Sequence, residues 1–169
     1  MTLKIRCVGE PRDEIMEEII IPRWSVPRVH PNGPIQLDLS QDKSTRLHVW
    51  LQEPVARQTV HTPVHDHRFD YTSLVLLGGL ISKKYVFFPD SSKAEYQEHV
   101  AMNAEGNETK LVPVGEPGYL IETGGIETWR GHSYSWSAWV LHYAYPLTPM
   151  AVTLMTKTWT DTTVLLPRV

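Results

Sequence analysis

Short runs of alternating apolar and polar residues, cut by proline and glycine, leave little room for long helices in this 169-residue chain. Residues 35–39, 45–51, 71–77, 81–88, 94–102, 109–114, 119–122, 132–136, 139–145 and 151–159 each read as strands, about ten of them at intervals of roughly 8–12 residues. That is the pattern of an all-β sandwich or barrel. Thirteen prolines and ten glycines supply the turns, and 103–107 reads as a hairpin loop. One stretch departs from the pattern. Over 10–20, Pro11 suits a first helical position and Ile15, Met16, Ile19 and Ile20 form a stripe at helical spacing, which predicts one short N-terminal helix ended by Pro22. The proline-rich segment 22–33 then reads as an extended arm around the barrel. Without repeats or linkers, the expectation is a single domain over 1–169. Its parts are a helix and wrapping arm at 1–34, a barrel at 35–160 and a tail at 161–169.

Charge and composition exclude several partners. A net charge of -3 and a pI near 6.2 give no bulk attraction to nucleic acid or to a membrane surface. The single cysteine, Cys7, forms neither an internal disulfide nor a cysteine-based zinc site. No apolar run approaches the roughly 18 residues of a membrane span. Met1 to Lys4 begin no signal-peptide core, so the expected setting is cytoplasmic. Six tryptophans and seven tyrosines against three phenylalanines favour rings with polar tips, which line pockets as readily as cores.

Chemistry concentrates at His65-Asp66-His67. Side chains alternate faces on an extended chain, so these two imidazoles point to one side and form half of a chelate. A third ligand has to come from a distant strand, and His132 and His142 are the candidates. His61, beyond Pro63, reads as a pocket-rim residue, while His30 and His99 read as surface residues. Arg46, His48 and Trp50 share one face of their strand. If that face is inward, the arginine needs an anion, either a substrate carboxylate or phosphate or an internal partner such as Glu122 or Asp70. Glu122 is a candidate general base or a partner orienting a histidine. Tyr71, Tyr134, Trp136 and Trp139 are candidates for an aromatic wall.

The spacing resembles the cupin superfamily, whose motifs are G-x5-H-x-H-x3/4-E-x6-G and G-x5-P-x-G-x2-H. Here His65-x-His67-x3-Tyr71-x6-Gly78 keeps the first spacing, with Tyr71 in place of the glutamate. Gly131-x5-Ser137-x-Trp139-x2-His142 keeps the second. The resemblance covers roughly residues 45–158. It implies a double-stranded β-helix of the cupin or jelly-roll type with His65, His67 and His142 as metal ligands. The string from His65 to Gly78 also resembles small uncharacterised bacterial and phage cupins.

A more distant likeness is to the cysteine-dioxygenase-type three-histidine cupins, through His65-Asp66-His67, Leu76-Leu77-Gly78-Gly79-Leu80 and Tyr85-Val86-Phe87-Phe88-Pro89. Thr45-Arg46 falls where that group keeps a substrate-binding arginine. Its last-strand Ser-x-His-x-Tyr reads Thr153-Leu154-Met155-Thr156-Lys157 here, so thiol oxidation does not carry over.

The expectation is a metal-binding cupin of the mononuclear non-haem iron oxygenase type acting on a small anionic substrate. It would hold one divalent ion, Fe(II) first, with Zn, Ni or Mn as alternatives. Tyr71 and Glu122 would be catalytic, and Arg46, His48 and Trp139 would bind substrate. The other readings are a metal-dependent isomerase or lyase on a sugar or small acid, and a non-enzymatic ligand-binding cupin. The resemblance also implies a homodimer through paired edge strands.

Overall fold

The computed structural model describes residues 2–5, 17–30, 33–53, 64–103 and 109–158. The strands are β1 (Thr2–Ile5), β2 (Glu17–Ile20), β3 (Arg28–Val29), β4 (Ile35–Asp38), β5 (Thr45–Leu51), β6 (Asp70–Leu77) and β7 (Gly79–Pro89). After a 3-10 turn at Ser91–Lys93 come β8 (His99–Asn103), β9 (Thr109–Pro113), β10 (Gly118–Trp129), β11 (Ser133–Trp136), β12 (Leu141–Pro146) and β13 (Met150–Thr158). A six-stranded sheet runs β11-β6-β13-β5-β4-β3, a three-stranded sheet runs β10-β7-β12, and β1-β2 and β8-β9 form separate pairs. Every pairing is antiparallel. This is the expected all-β architecture, built on two antiparallel sheets. No helix among the described residues is long and apolar enough to cross a membrane.

The period-two pattern of β5 sorts the two faces of the large sheet. Leu47, with Leu37, Leu76 and Val152, packs an apolar layer on the outer face, closed by Ile21 and flanked by Ile19 of the arm. The opposite face meets the three-stranded sheet. There Tyr71, Tyr134, Ala151 and Met155 of the large sheet pack against Leu80 and Ala144 of the small one. Arg46 and His48 project from this inner face, so the barrel interior is polar beside a compact apolar layer. Gly78 makes the turn that carries the chain from one sheet to the other. Its φ is +71°, and a Cβ there would run into the Met150 carbonyl, so only glycine fits.

The short N-terminal helix needs correction. Residues 17–20 form a strand paired with β1, Thr2 opposite Ile20 and Ile5 opposite Glu17, while 10–16 lie outside the described residues. Ile19 packs towards the sheet and Ile20 faces out, an alternation of period two. β-branched isoleucines favour that geometry once a partner strand exists. The helical stripe was a local pattern overridden by a pairing at a distance. Ile19 and Ile21 pack on the outer face, and the segment after them adds the edge strand β3.

Leu47 is fully buried. We expect Leu47→Ala to lower the unfolding free energy by about 2–5 kcal/mol, measured by urea titration, with the barrel still folded under native conditions.

Candidate metal centre

Backbone pairing assembles the three histidines. His65 and His142 exchange both ladder bonds, His65 N–H to the His142 carbonyl at 3.0 Å and His142 N–H to the His65 carbonyl at 2.8 Å. This isolated bridge joins the segment before β6 to the start of β12, so the distant third imidazole arrives by strand pairing. The turn between β11 and β12 is fastened to the same segment. Trp139 N–H donates to the His67 carbonyl at 2.8 Å, and Ala138 N–H donates to Asp70 Oδ1 at 2.6 Å. Asp70 is thus a clasp on the turn. The ligating nitrogens of His65, His67 and His142 all lie within 4.8 Å of one another, a span one metal ion can bridge.

The hydrogen bonds also select the nitrogen that His142 presents. Its Nδ1–H donates to the Val140 carbonyl at 2.8 Å, which leaves Nε2 as the nitrogen with a lone pair to offer. Tyr71 O–H donates to that Nε2 at 2.9 Å. This tautomer follows from the acceptor available at Val140. Phe69 stacks on His67 with centroids 4.9 Å apart, and Trp136 lies parallel to His142 at 6.2 Å. Burial first, then the neighbouring His65 and His142, lowers the His67 pKa to about 2. Burial, followed by His65, lowers His142 to about 4, against a smaller upward push from its bond to Val140. Both rings are therefore neutral at ordinary pH, the form that binds a metal. The donor set fits a divalent ion of the Fe, Zn, Ni or Mn type. Tyr71 stays a phenol, because burial and then Tyr134 push its pKa well above the usual value.

The three imidazoles share a cavity of about 40 Å³ with Gln36, Arg46, His48 and His30. Cross-strand register builds this opposite wall. Gln36 pairs with His48 and Asp38 with Arg46, while Thr153 and Met155 of β13 continue the two rows. The internal anion for Arg46 is Asp38, neither Glu122 nor Asp70. Arg46 Nε lies 3.1 Å from Asp38 Oδ1, at an angle that makes an ion contact and no hydrogen bond. Arg28 grips the same carboxylate through Nη1 at 2.7 Å and Nη2 at 3.0 Å. Burial alone would raise the Asp38 pKa, but the hydrogen bonds and charge of Arg28, with the charge of Arg46, leave it below its ordinary value. Burial and the neighbouring cations hold His48 at about 3 and His30 at about 4.

The structure thus gathers His65, His67, His142, Tyr71, Arg46 and His48 around one cavity. It leaves Glu122 at the exposed surface of β10, bonded to Lys83 at 2.9 Å. Trp139 sits on the turn, half-exposed, with a left-handed φ of +66° and no strand conformation of its own. His132 is exposed in the turn before β11. His99 lies on β8, and His61 falls outside the described residues. His30, expected at the surface, lines the cavity instead, with its ring 6.3 Å from that of His65. Only the path of the arm brings it there, and no local pattern marks that path. Gln36 was also missed as a site residue. Its place opposite His48 follows from a register that alternation alone does not give.

No protein-family model matches the chain, and no curated protein matches it. Among solved structures it is similar to hydroxypropylphosphonic acid epoxidase from S. wedmorenis, with a TM-score of 0.41 and 13% sequence identity over 83% of this chain. The chain spans 59% of that protein.

Two outcomes follow from this geometry. Asp70→Ala removes the clasp on the turn that orients His142, and we expect metal affinity to fall by about 10–100-fold, with Asp70→Asn in between, in a chelator-competition titration. His48 is neutral in the fold down to about pH 3, whereas its unfolded value is 6.5. Between these values the unfolded chain binds more protons, so stability present above 6.5 drains away as pH falls through the folded value. We expect urea unfolding of the metal-free protein to trace this loss, and His48→Gln to flatten it.

Proposed function

We propose that this chain is a metal-dependent enzyme of the mononuclear non-haem iron oxygenase type, acting on a small anionic substrate. One observation carries the reading. Three histidines with nitrogens within 4.8 Å face the same small cavity as Arg46, whose internal partner is already claimed by a second arginine. When bound, an iron ion would supply Lewis acidity and redox exchange with O2. The rest falls to the chain's own residues.

His65, His67 and His142 would hold the ion, and the Val140 carbonyl keeps His142 in the tautomer that offers Nε2. Phe69 and Trp136 cover imidazole faces and keep water from them. Arg46 would pair with the substrate anion as a desolvated cation, where its charge acts more strongly than in water. Tyr71 keeps its proton at the hydroxyl beside His142 and can donate it to a substrate oxygen. That hydroxyl also favours a second reading, proton transfer assisted by a redox-silent metal, as in an isomerase or lyase. In that reading Tyr71 takes the acid–base role, since Glu122 stands with Lys83 at the surface.

Elemental analysis of the purified protein, with oxygen uptake measured over a panel of small acids after iron loading, separates the readings. We expect bound iron and uptake. His65→Ala and His67→Ala should each lose both, while retaining the barrel by circular dichroism. Turnover of a small acid under anaerobic conditions with zinc would transfer the proposal to the second reading. A protein that neither holds metal nor consumes oxygen after loading refutes both.

A further inference from the structure

We infer that the cavity wall facing the three histidines is built for a small 2-hydroxy acid, with Arg46 on its anionic group and Gln36 Oε1 accepting from its hydroxyl. The inference names the substrate class of the site proposed above and rests on that reading for the site's role, but the wall has its own physical argument.

Gln36 is 1% exposed and lines the cavity. Its Nε2 donates to Asp38 Oδ1 at 3.3 Å. An ionised carboxylate only accepts, so this bond fixes the amide with nitrogen towards Asp38 and oxygen away from it. That Oε1 has no hydrogen-bond partner among the described residues. A buried carbonyl left unpaired gives up the hydrogen bonds it had with water and gains none in return. The position therefore calls for a donor that the fold itself does not provide.

Arg46 makes the complementary demand. One carboxylate, Asp38, faces two guanidiniums, Arg28 and Arg46, so the group keeps an unmatched positive charge. Lys157, another cation, is pushed down by burial first and then by the nearby Arg46. An anion on Arg46 neutralises what Asp38 leaves over.

The two demands fit one small molecule. Gln36 is directly opposite His48, so Arg46 is its diagonal neighbour on the same face, about 7–8 Å away across the strand pair. Side chains converging over that distance meet a ligand whose anionic group and donor stand on adjacent carbons. A cavity of about 40 Å³ takes only a few heavy atoms, since one water already needs about 10–15 Å³. The donor is a hydroxyl and not an ammonium, because an ammonium would add like charge beside Arg28 and Arg46. His48, opposite Gln36 on the neighbouring strand, lines the same cavity.

The test is calorimetric titration of the full chain with lactate, propionate and alanine. It is run on the zinc-loaded protein, which does not turn over oxygen, and on the metal-free His65→Ala/His67→Ala variant. We expect lactate to bind about tenfold more tightly than propionate and more tightly than alanine. Gln36→Leu should bring lactate down to the level of propionate while propionate itself is unaffected. Arg46→Gln should weaken both acids. Gln36→Met serves if the leucine variant does not fold, and if neither folds, the lactate-to-propionate ratio of the unaltered protein decides.

Equal binding of lactate and propionate overturns the inference, as does preference for alanine, lack of binding by all three acids, or a hydroxyl preference that survives loss of the Gln36 amide. The last would mean that a cavity water satisfies Oε1 and that the metal alone reads the hydroxyl. A lactate preference that persists in the metal-free variant upholds the wall even if the metal reading fails. Metal binding without any hydroxyl preference sinks the wall and leaves the metal reading standing.

Discussion

The pair of backbone hydrogen bonds between His65 and His142 is the contact on which the candidate site depends. Each histidine belongs to a different sheet system. The residues after His65 run into β6 of the large sheet, and those after His142 are β12 of the small one. Side-chain packing tolerates shifts of an ångström, whereas a two-bond bridge fixes register to the residue. A slip of one residue at this bridge would turn His142 away from the cavity and carry Ala144 off the apolar layer that closes the barrel. Ligand geometry and core packing are therefore consequences of a single register.

The opposite wall is organised by charge. Asp38 is almost wholly buried and pairs with arginines from two elements, Arg28 on the edge strand and Arg46 on β5. Buried ions are retained only where partners repay their lost hydration. Here the carboxylate is well served by Arg28, and Arg46 receives a poorer share. The wall is thus stable enough to persist and incomplete enough to attract an anion. The neutral imidazoles nearby fit the same picture, since protonation would add to a charge that is already in excess.

Much of this was legible in the residues. Alternation in 45–51 separated Leu47 and Val49 from Arg46 and His48, and the structure keeps that division, apolar outside and polar inside. The spacing from His65 to Tyr71, and from Gly131 to His142, selected three histidines that the fold places together. What stayed hidden depends on contacts between segments distant in sequence. Ile15 to Ile20 carry a helical stripe, yet 17–20 pair as a strand because Thr2–Ile5 lies beside them. His30 lines the cavity because it follows the edge strand β3, whose pairing with β4 joins segments with no shared local pattern. Asp38 became the partner of Arg46 through cross-strand register, which composition and period do not specify. Glu122 had the chemistry for a base, but its strand turns it to Lys83.

The left-handed backbone of Trp139 bears on the candidate site. A bulky residue in that region stores about 1–3 kcal/mol, and the turn stays there because Asp70 and the His67 carbonyl hold its amides. The same turn carries the Val140 carbonyl that orients His142. The orientation of His142 therefore rests on a turn that holds a bulky residue in a strained conformation, as well as on the His65–His142 bridge.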